Sequence, residues 1–596
     1  MHIHFFYLVA TALGITSTLA IEPELSLDGI ARRYTKRTPG GLHLPLLRQE
    51  PTSGNALARR QSAVAGAVGL GDYADVAYLV LTAIGSVTVP FVLDTGSSDL
   101  WVESDACTEG CTTGDRVYPQ ASFQYANIDV KMQYGDSATG TFASGKVGDD
   151  TVTLAGLGLQ DQYFAAINRT NTSVTDVGAA GIFGLGFPIN SVIWNEVFVA
   201  QYGADPSPAG RRDVEGSKSG VVDVRPNVKF GSPFPHAGTF FRRTPFPQLP
   251  GLLGERVSRF TARDQSSILA EAFASYKTFG PFISRLVALD RLALPMFSVT
   301  LQRDTIDVGG NLGVLSLGEL PGGVQSENFT WVPLRAYSPD EGGLPAPSDS
   351  PDEQYPITWE VFLDAVYFDG QKLPESKLAD SSIKLSTLVD TGNSLIRGPK
   401  DVVQEILRRI PGITRDGVFA CAEPHTLTFE IGGRMFDVDP RDFISQAYQN
   451  NVDDCIANLV STDPPHVGGY QFSWSLGIPF LKGVVSTYYY GNLTHPSRDQ
   501  PKMGFFSTVP RDAGELLKKA VGAAAAADRN FPAISETAPA GTIAPTGSGG
   551  LAQATRTGTS SVDINGAAPG FSIPGLGVWS CTALTIALSA GVFCGL

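Results

Sequence analysis

Charge is scarce in this chain. Of its 596 residues only 17% are Asp, Glu, Lys or Arg, and 44 basic residues stand against 59 acidic ones, for a net charge of −15 and a pI near 5.0. Nucleic acid is excluded as a partner, because phosphates require a basic face. Cysteine is sparse too, at six. Cys107 and Cys111 lie four apart, but no His or further Cys stands near them to complete four metal ligands, so a zinc site there is the weaker reading. No metal or organic cofactor is implied. No long helical period runs through the middle of the chain. What is abundant is apolar residue (43%, enough for real cores) and Gly. Runs such as 76–81 (Val-Ala-Tyr-Leu-Val-Leu) and 150–154 (Asp-Thr-Val-Thr-Leu) read as strands between Gly turns. The expected class is mostly β, in two lobes.

Two copies of one pattern organise that expectation. Val92-Leu93-Asp94-Thr95-Gly96-Ser97-Ser98 is matched by Leu388-Val389-Asp390-Thr391-Gly392-Asn393-Ser394. Each is an apolar run that delivers a carboxylate into a tight Gly turn. A mostly buried carboxylate is costly unless it is hydrogen-bonded or shares a proton. A chain that does this twice in one local frame implies that the two carboxylates face each other. Two carboxylates roughly 3 Å apart hold one proton between them. The ionised one can take a proton from water while the protonated one polarises a carbonyl, which is amide hydrolysis without a covalent intermediate. Gly96 and Gly392 let the backbone turn beneath the carboxylates and offer N–H groups to them. Thr95 and Thr391 can cross-link the turns through their hydroxyls, and Ser97 can donate to Asp94.

With the flanks 91–102 (Phe-Val-Leu-Asp-Thr-Gly-Ser-Ser-Asp-Leu-Trp-Val) and 389–399 (Val-Asp-Thr-Gly-Asn-Ser-Leu-Ile-Arg-Gly-Pro), the chain resembles the pepsin-like aspartic proteases over roughly residues 72 to 510. The resemblance implies the bilobal pepsin-like fold with its cleft between two β lobes, and Asp94 and Asp390 as the catalytic pair. Residues 132–137 (Met-Gln-Tyr-Gly-Asp-Ser) look like the hairpin flap that closes over substrate, with Tyr134, Gly135 and Asp136 in it and Trp101 as the indole supporting Tyr134. The plain alternative for Tyr134 is a surface hairpin aromatic. Residues 180–187 and 474–481 look like the apolar-Gly segments that pass beneath the two loops, and 502–506 like the closing strand. Cys107–Cys111 and Cys421–Cys455 match disulfides of that family. Three positions depart from its pattern. Asn393 stands where Ser or Thr is usual, and its amide is expected to donate to Asp390 instead. Ile478 replaces a common acidic residue. Asp136 beside the flap tyrosine is either a selector for Lys or Arg next to the scissile bond or a solvated hairpin charge.

Residues 1–20 read as a secretory signal, ending at Thr18-Leu19-Ala20. Residues 21–60 carry the basic pairs Arg32-Arg33, Lys36-Arg37 and Arg59-Arg60, as expected of a pro-segment cut by a kexin-like enzyme, or of a disordered basic leader without inhibitory role. The first lobe is expected over 61–330 and the second over 331–511. After a helix-prone run at 515–520, residues 512–570 form a stalk rich in Ala, Gly, Pro, Ser and Thr. The tail 571–596 ends in 19 apolar, uncharged residues, with the small residues Asn565-Gly566-Ala567 upstream. That is a GPI signal with attachment at Asn565 or Gly566; a transmembrane anchor, the rival, usually shows flanking Lys or Arg. Sequons at Asn168, Asn171, Asn328 and Asn492 fit a secreted glycoprotein. The whole arrangement looks like the yapsin-like and candidapepsin-like surface proteases of fungi, many of which cut at basic residues.

Residues 203–275 leave the family pattern, with Arg211-Arg212, Arg242-Arg243 and many Pro and Gly. The stretch is a loop cut at its dibasic sites, an insertion that recruits an acidic partner, or translated intron. A second irregular loop, 338–353, is acidic and Pro-rich; it lies by the cleft or is merely solvated. The expected function is a monomeric acid endopeptidase at the outer cell surface, GPI-anchored to plasma membrane or wall, that binds protein or peptide substrates in extended form. A non-catalytic wall or binding protein on the same fold is the alternative from another class.

Overall fold

The structure is a computed structural model that describes residues 77–202 and 262–531, with short interruptions among which are 112–116, 135–140, 302–305 and 466–470, and a few strands outside those limits. The expected signal, most of the pro-segment, Gly135, Asp136, and the GPI attachment residues Asn565 and Gly566 lie outside the described residues.

The first half opens with strands β1 (Gly66–Tyr73), β2 (Ala77–Ile84), β3 (Val87–Asp94) and β4 (Leu100–Glu103). Residues 89–94 of β3 are buried without alternation, as a strand covered on both faces must be. Next come β5 (Gln124–Tyr134), β6 (Thr141–Leu154), β7 (Leu157–Thr170) and β8 (Gly181–Gly184). β5 does alternate: Val130, Met132 and Tyr134 turn inward while Lys131 and Gln133 turn to solvent. That period of two points Tyr134 at the lobe interior.

Two helices follow, α1 (Val192–Tyr202) and α2 (Ala262–Phe279). The latter has no counterpart in the sequence reading, which found no helical period there and counted part of it in the irregular stretch. Yet Leu269, Ala272, Phe273, Tyr276 and Phe279 recur at helical spacing and pack inward, and Trp194 of α1 donates to Ser275 Oγ at 2.8 Å. The charged, Pro-rich residues before it hide the period.

Strands β9 (Met296–Leu301) and β10 (Gly313–Leu317) lead to the second lobe: β11 (Thr330–Pro333), β12 (Glu360–Phe362), β13 (Ser386–Val389), β14 (Ile396–Pro399), β15 (Leu459–Thr462), β16 (Trp474–Leu476), β17 (Val484–Tyr489) and β18 (Lys502–Ser507). One long sheet runs β11-β18-β17-β9-β10-β1-β2-β3-β8-β4-β7-β6-β5, and a five-stranded sheet runs β12-β13-β16-β14-β15. The first sheet thus joins both halves.

Helix α3 (Ala513–Ala526) buries Leu517, Val521 and Ala524 against the second lobe. Beyond it, Gln446 accepts from the backbone N–H of Phe531 at 3.0 Å. The packed body therefore continues through Phe531, past the expected start of the stalk at 512. The acidic loop 338–353 is knitted into the lobe rather than simply solvated: Glu341 pairs with Arg335, Asp349 with Arg498, and Glu353 accepts from the backbone and hydroxyl of Ser497.

Candidate active site

One three-strand unit occurs twice. β8 runs parallel to β3, with Gly184 opposite Asp94, and antiparallel to β4, with Ile182 opposite Trp101. β16 runs parallel to β13, with Leu476 opposite Val389, and antiparallel to β14, with Ser475 opposite Arg397. Each middle strand holds its loop from below: Leu185 N–H donates to Asp94 O at 2.8 Å, and Asp390 N–H to Leu476 O at 3.0 Å.

The loops meet across the junction through four reciprocal bonds. Thr95 N–H donates to Thr391 Oγ1 and Thr391 N–H to Thr95 Oγ1, both at 3.0 Å. Thr95 Oγ1 donates to Val389 O at 2.8 Å, and Thr391 Oγ1 to Leu93 O at 2.7 Å. Asp94 and Asp390 are both wholly buried. Gly96 N–H donates to Asp94 Oδ1 at 2.8 Å, and Gly392 N–H to Asp390 Oδ1 at 2.9 Å. A Cβ on Gly96 would sit 2.5 Å from Asp390 Oδ1, and one on Gly392 would overlap Asp94 Oδ1. Each loop's glycine thus lies against the carboxylate of the other loop, which is how the carboxylates come to face one another.

Their surroundings differ. Ser97 Oγ donates to Asp94 Oδ2 at 2.5 Å. Asn393 does not play that part for Asp390, contrary to the sequence expectation: its Nδ2 donates to Ser475 Oγ at 2.9 Å, and its Oδ1 accepts from Leu395 N–H at 3.1 Å. The amide is longer than a hydroxyl and turns to satisfy both ends on β16 and its own backbone. Among the described residues Asp390 Oδ2 receives no donor. Burial pushes Asp94 up to about 6, against Ser97, Asp390 and the Gly96 N–H, which favour its ionised form. Burial, then the charge of Asp94, raises Asp390 well above the usual carboxylate range, against the Gly392 N–H and the charge of Arg397. Two buried acids this close titrate as a pair.

Trp101 Nε1 donates to Tyr134 Oη at 2.8 Å, with both rings buried, so the end of β5 is tied to β4 beside Asp94. Asp99 caps α1: its carboxylate accepts from Ser191 Oγ at 2.5 Å and from the N–H groups of Val192 and Ile193 at 3.0 Å. Ile478 is buried and its N–H donates to Asn393 O at 2.8 Å. The disulfides are Cys107–Cys111 and Cys421–Cys455, with Cα atoms 6.1 and 5.0 Å apart. Asn171 and Asn328 are exposed, and Asn168 and Asn492 half-buried. Among the described residues no cluster of His, Cys, Asp or Glu could hold a metal ion.

The sequence reading missed the clamp between lobes. Trp359 Nε1 and Tyr490 Oη, from the second lobe, both donate to Leu185 O under the first loop, at 3.0 and 2.5 Å. It also missed Arg397, a buried guanidinium seven residues after Asp390. A signal existed for it, because Trp101 lies seven after Asp94.

The chain matches the eukaryotic aspartyl protease family over residues 77–204 and 227–495. It is 24% identical to cathepsin E-A of Xenopus laevis over 432 residues, 71% of this chain and 79% of that protein. Against dog pepsin A it is 23% identical over 455 residues, 74% of this chain and 86% of the other. Aspergillopepsin-1 of Emericella nidulans shares 31% identity over 203 residues, 32% and 51% of the two chains. With two Asp-Thr-Gly loops locked face to face and a family match across most of both lobes, the chain belongs to the eukaryotic aspartyl proteases and is a pepsin-type aspartic endopeptidase.

Proposed function

We propose that Asp94 and Asp390 hydrolyse internal peptide bonds in acid through one shared proton and one activated water. The observation that carries this is the meeting of two wholly buried carboxylates, each against the other loop's glycine. Asp94 has the greater number of donors to its ionised form, so the shared proton rests with Asp390. Asp94 then takes the proton of the water as it attacks, and Asp390 gives its own to the carbonyl oxygen. Tyr134, held by Trp101, belongs to the flap with Gly135 and Asp136. The substrate lies extended, its main chain giving affinity and side-chain pockets selectivity.

The enzyme acts at the outer cell surface of a fungus, as a GPI-anchored monomer, and prefers Lys or Arg beside the cut. The signal, basic pro-segment, stalk and apolar tail of the sequence support this, as does Asp136 next to the flap tyrosine. The deciding experiment incubates the protein with a mixed peptide library from about pH 3 to 7, with and without pepstatin, and maps every cut by mass spectrometry. Pepstatin-sensitive cuts in acid are expected, with basic residues enriched beside them. Absence of cleavage at every pH would favour a binding protein on the same fold. Release from intact cells by a phosphatidylinositol-specific phospholipase tests the anchor.

A further inference from the structure

The strand ladder between β6 and β7 ends at Ala143 opposite Thr170. Phe142 and Asn171 stand at the next rung. In a regular antiparallel pair of this kind the two residues exchange both N–H···O bonds. Asn171 gives its half, its backbone N–H donating to Phe142 O at 3.1 Å. The returning bond, from Phe142 N–H, goes to the Asn171 side chain, at Oδ1 2.6 Å away. The chain turns here, with Thr172 N–H donating to Thr170 Oγ1 at 3.1 Å, and a short amide can stand in for a backbone carbonyl at such a turn. Thr170 Oγ1 in turn donates to Phe142 O at 2.9 Å. Both polar backbone groups of Phe142 are therefore fixed to the end of β7. On its other side β6 pairs with β5: Phe142 stands opposite Gln133, and Thr141 opposite Tyr134, the last residue of β5. The ring of Tyr134 is tied to β4 through Trp101, and its backbone pairs with the arm that Asn171 anchors.

We propose that Asn171 is a positioning residue of the peptidase reaction: its side-chain carbonyl completes the last rung between β6 and β7 and so sets where the paired strand holds Tyr134. The inference rests on the hydrolytic reading above. Asn171 is exposed, so its replacement removes a hydrogen bond without opening the core. It also begins the sequon Asn171-Thr172-Ser173. A sugar attaches at the amide nitrogen and leaves Oδ1 able to accept, so the anchoring bond and the modification are compatible and can be separated by mutation.

The test follows pepstatin-sensitive hydrolysis of one peptide cut by the wild type, with the purified full-length protein in acid. Compared are the wild type, Asn171→Ala, Asn171→Asp and Ser173→Ala. The first variant removes the acceptor and the sequon, the second removes the sequon but keeps an acceptor oxygen, and the third removes the sequon alone. Asn171→Ala is expected to lower kcat about fivefold, with KM within about twofold and the melting temperature within about 2 °C of the wild type, because misplacing Tyr134 costs alignment rather than folding. Asn171→Asp and Ser173→Ala keep kcat within about twofold of the wild type. Hydrogen exchange at the Phe142 amide, read without substrate, should quicken about fivefold in Asn171→Ala and in neither of the others. Equal losses of kcat in Asn171→Ala and Ser173→Ala would assign the effect to the sugar and overturn the inference. An unchanged kcat or unchanged Phe142 exchange in Asn171→Ala would overturn it as well, and so would a loss matched by a fall in melting temperature. All of these outcomes leave the hydrolytic reading standing. A wild type without pepstatin-sensitive hydrolysis overturns that reading and this inference with it.

Discussion

The first loop gives the Asp94 carboxylate a backbone N–H and the Ser97 hydroxyl, while the second gives the Asp390 carboxylate, among the described residues, a backbone N–H alone. The backbones around the two aspartates are otherwise near copies: the same threonine cross-bonds, the same glycine contact, the same crossing strand beneath. Backbone symmetry brings two acids together, and side-chain asymmetry gives one of them more hydrogen-bond donors than the other. An evenly matched pair would have no preferred direction for moving a proton from water to carbonyl.

The largest break in this comparison is loss of either acid. Asp94→Asn and Asp390→Asn should each lower kcat by about 10⁴-fold, since both halves of the acid–base exchange are needed. Residual activity within tenfold of the wild type in either variant would remove that aspartate from the pair. The same variants should alter the pH dependence of stability. A carboxyl whose pKa is raised on folding binds more protons folded than unfolded, so its contribution worsens as pH rises from its ordinary value, near 4, through about 6. The melting temperature of the wild type should therefore fall across that window, and Asp94→Asn should flatten the fall. Scanning calorimetry from acid to neutral pH reads both.

Gly96→Ala and Gly392→Ala come next. Each Cβ meets the opposite carboxylate, so both should cut activity at least about a hundredfold and by similar factors. Unequal losses would show that the junction is less symmetric than its backbone.

A sharper contrast pairs Ser97→Ala with Asn393→Ala. The first removes a donor from Asp94 and should raise the acid limb of the pH–rate profile. The second should leave the limbs in place and cost only about 1 kcal/mol of stability, because its amide serves Ser475 and Leu395. A limb shift with Asn393→Ala would return that amide to Asp390. The smallest effect belongs to the lobe clamp: Trp359→Phe deletes one of two donors to Leu185 O and should cost about 1 kcal/mol by denaturant unfolding, with little change in kcat.

The doubled Asp-Thr-Gly run, the β-rich composition and the alternation of residues 130–134 belong to short stretches of chain, where local chemistry dictates strand, turn and facing. From them come the mostly β fold and the aspartate pair, while the inward facing of Tyr134 is a finding of the structure. Helix α2 was within reach through its apolar spacing, but the basic residues before it masked the period. The sequence could not say where Asn393 sends its amide, because two acceptors compete and only the position of Ser475, 82 residues on, resolves them. Nor could it join Trp359 and Tyr490 to one carbonyl at Leu185, 174 and 305 residues away. Hydrogen-bond partners that far apart are chosen by how the lobes pack. The sequence by itself therefore determined that there would be two matched acid loops, and the tertiary structure alone decided how unlike their surroundings would be.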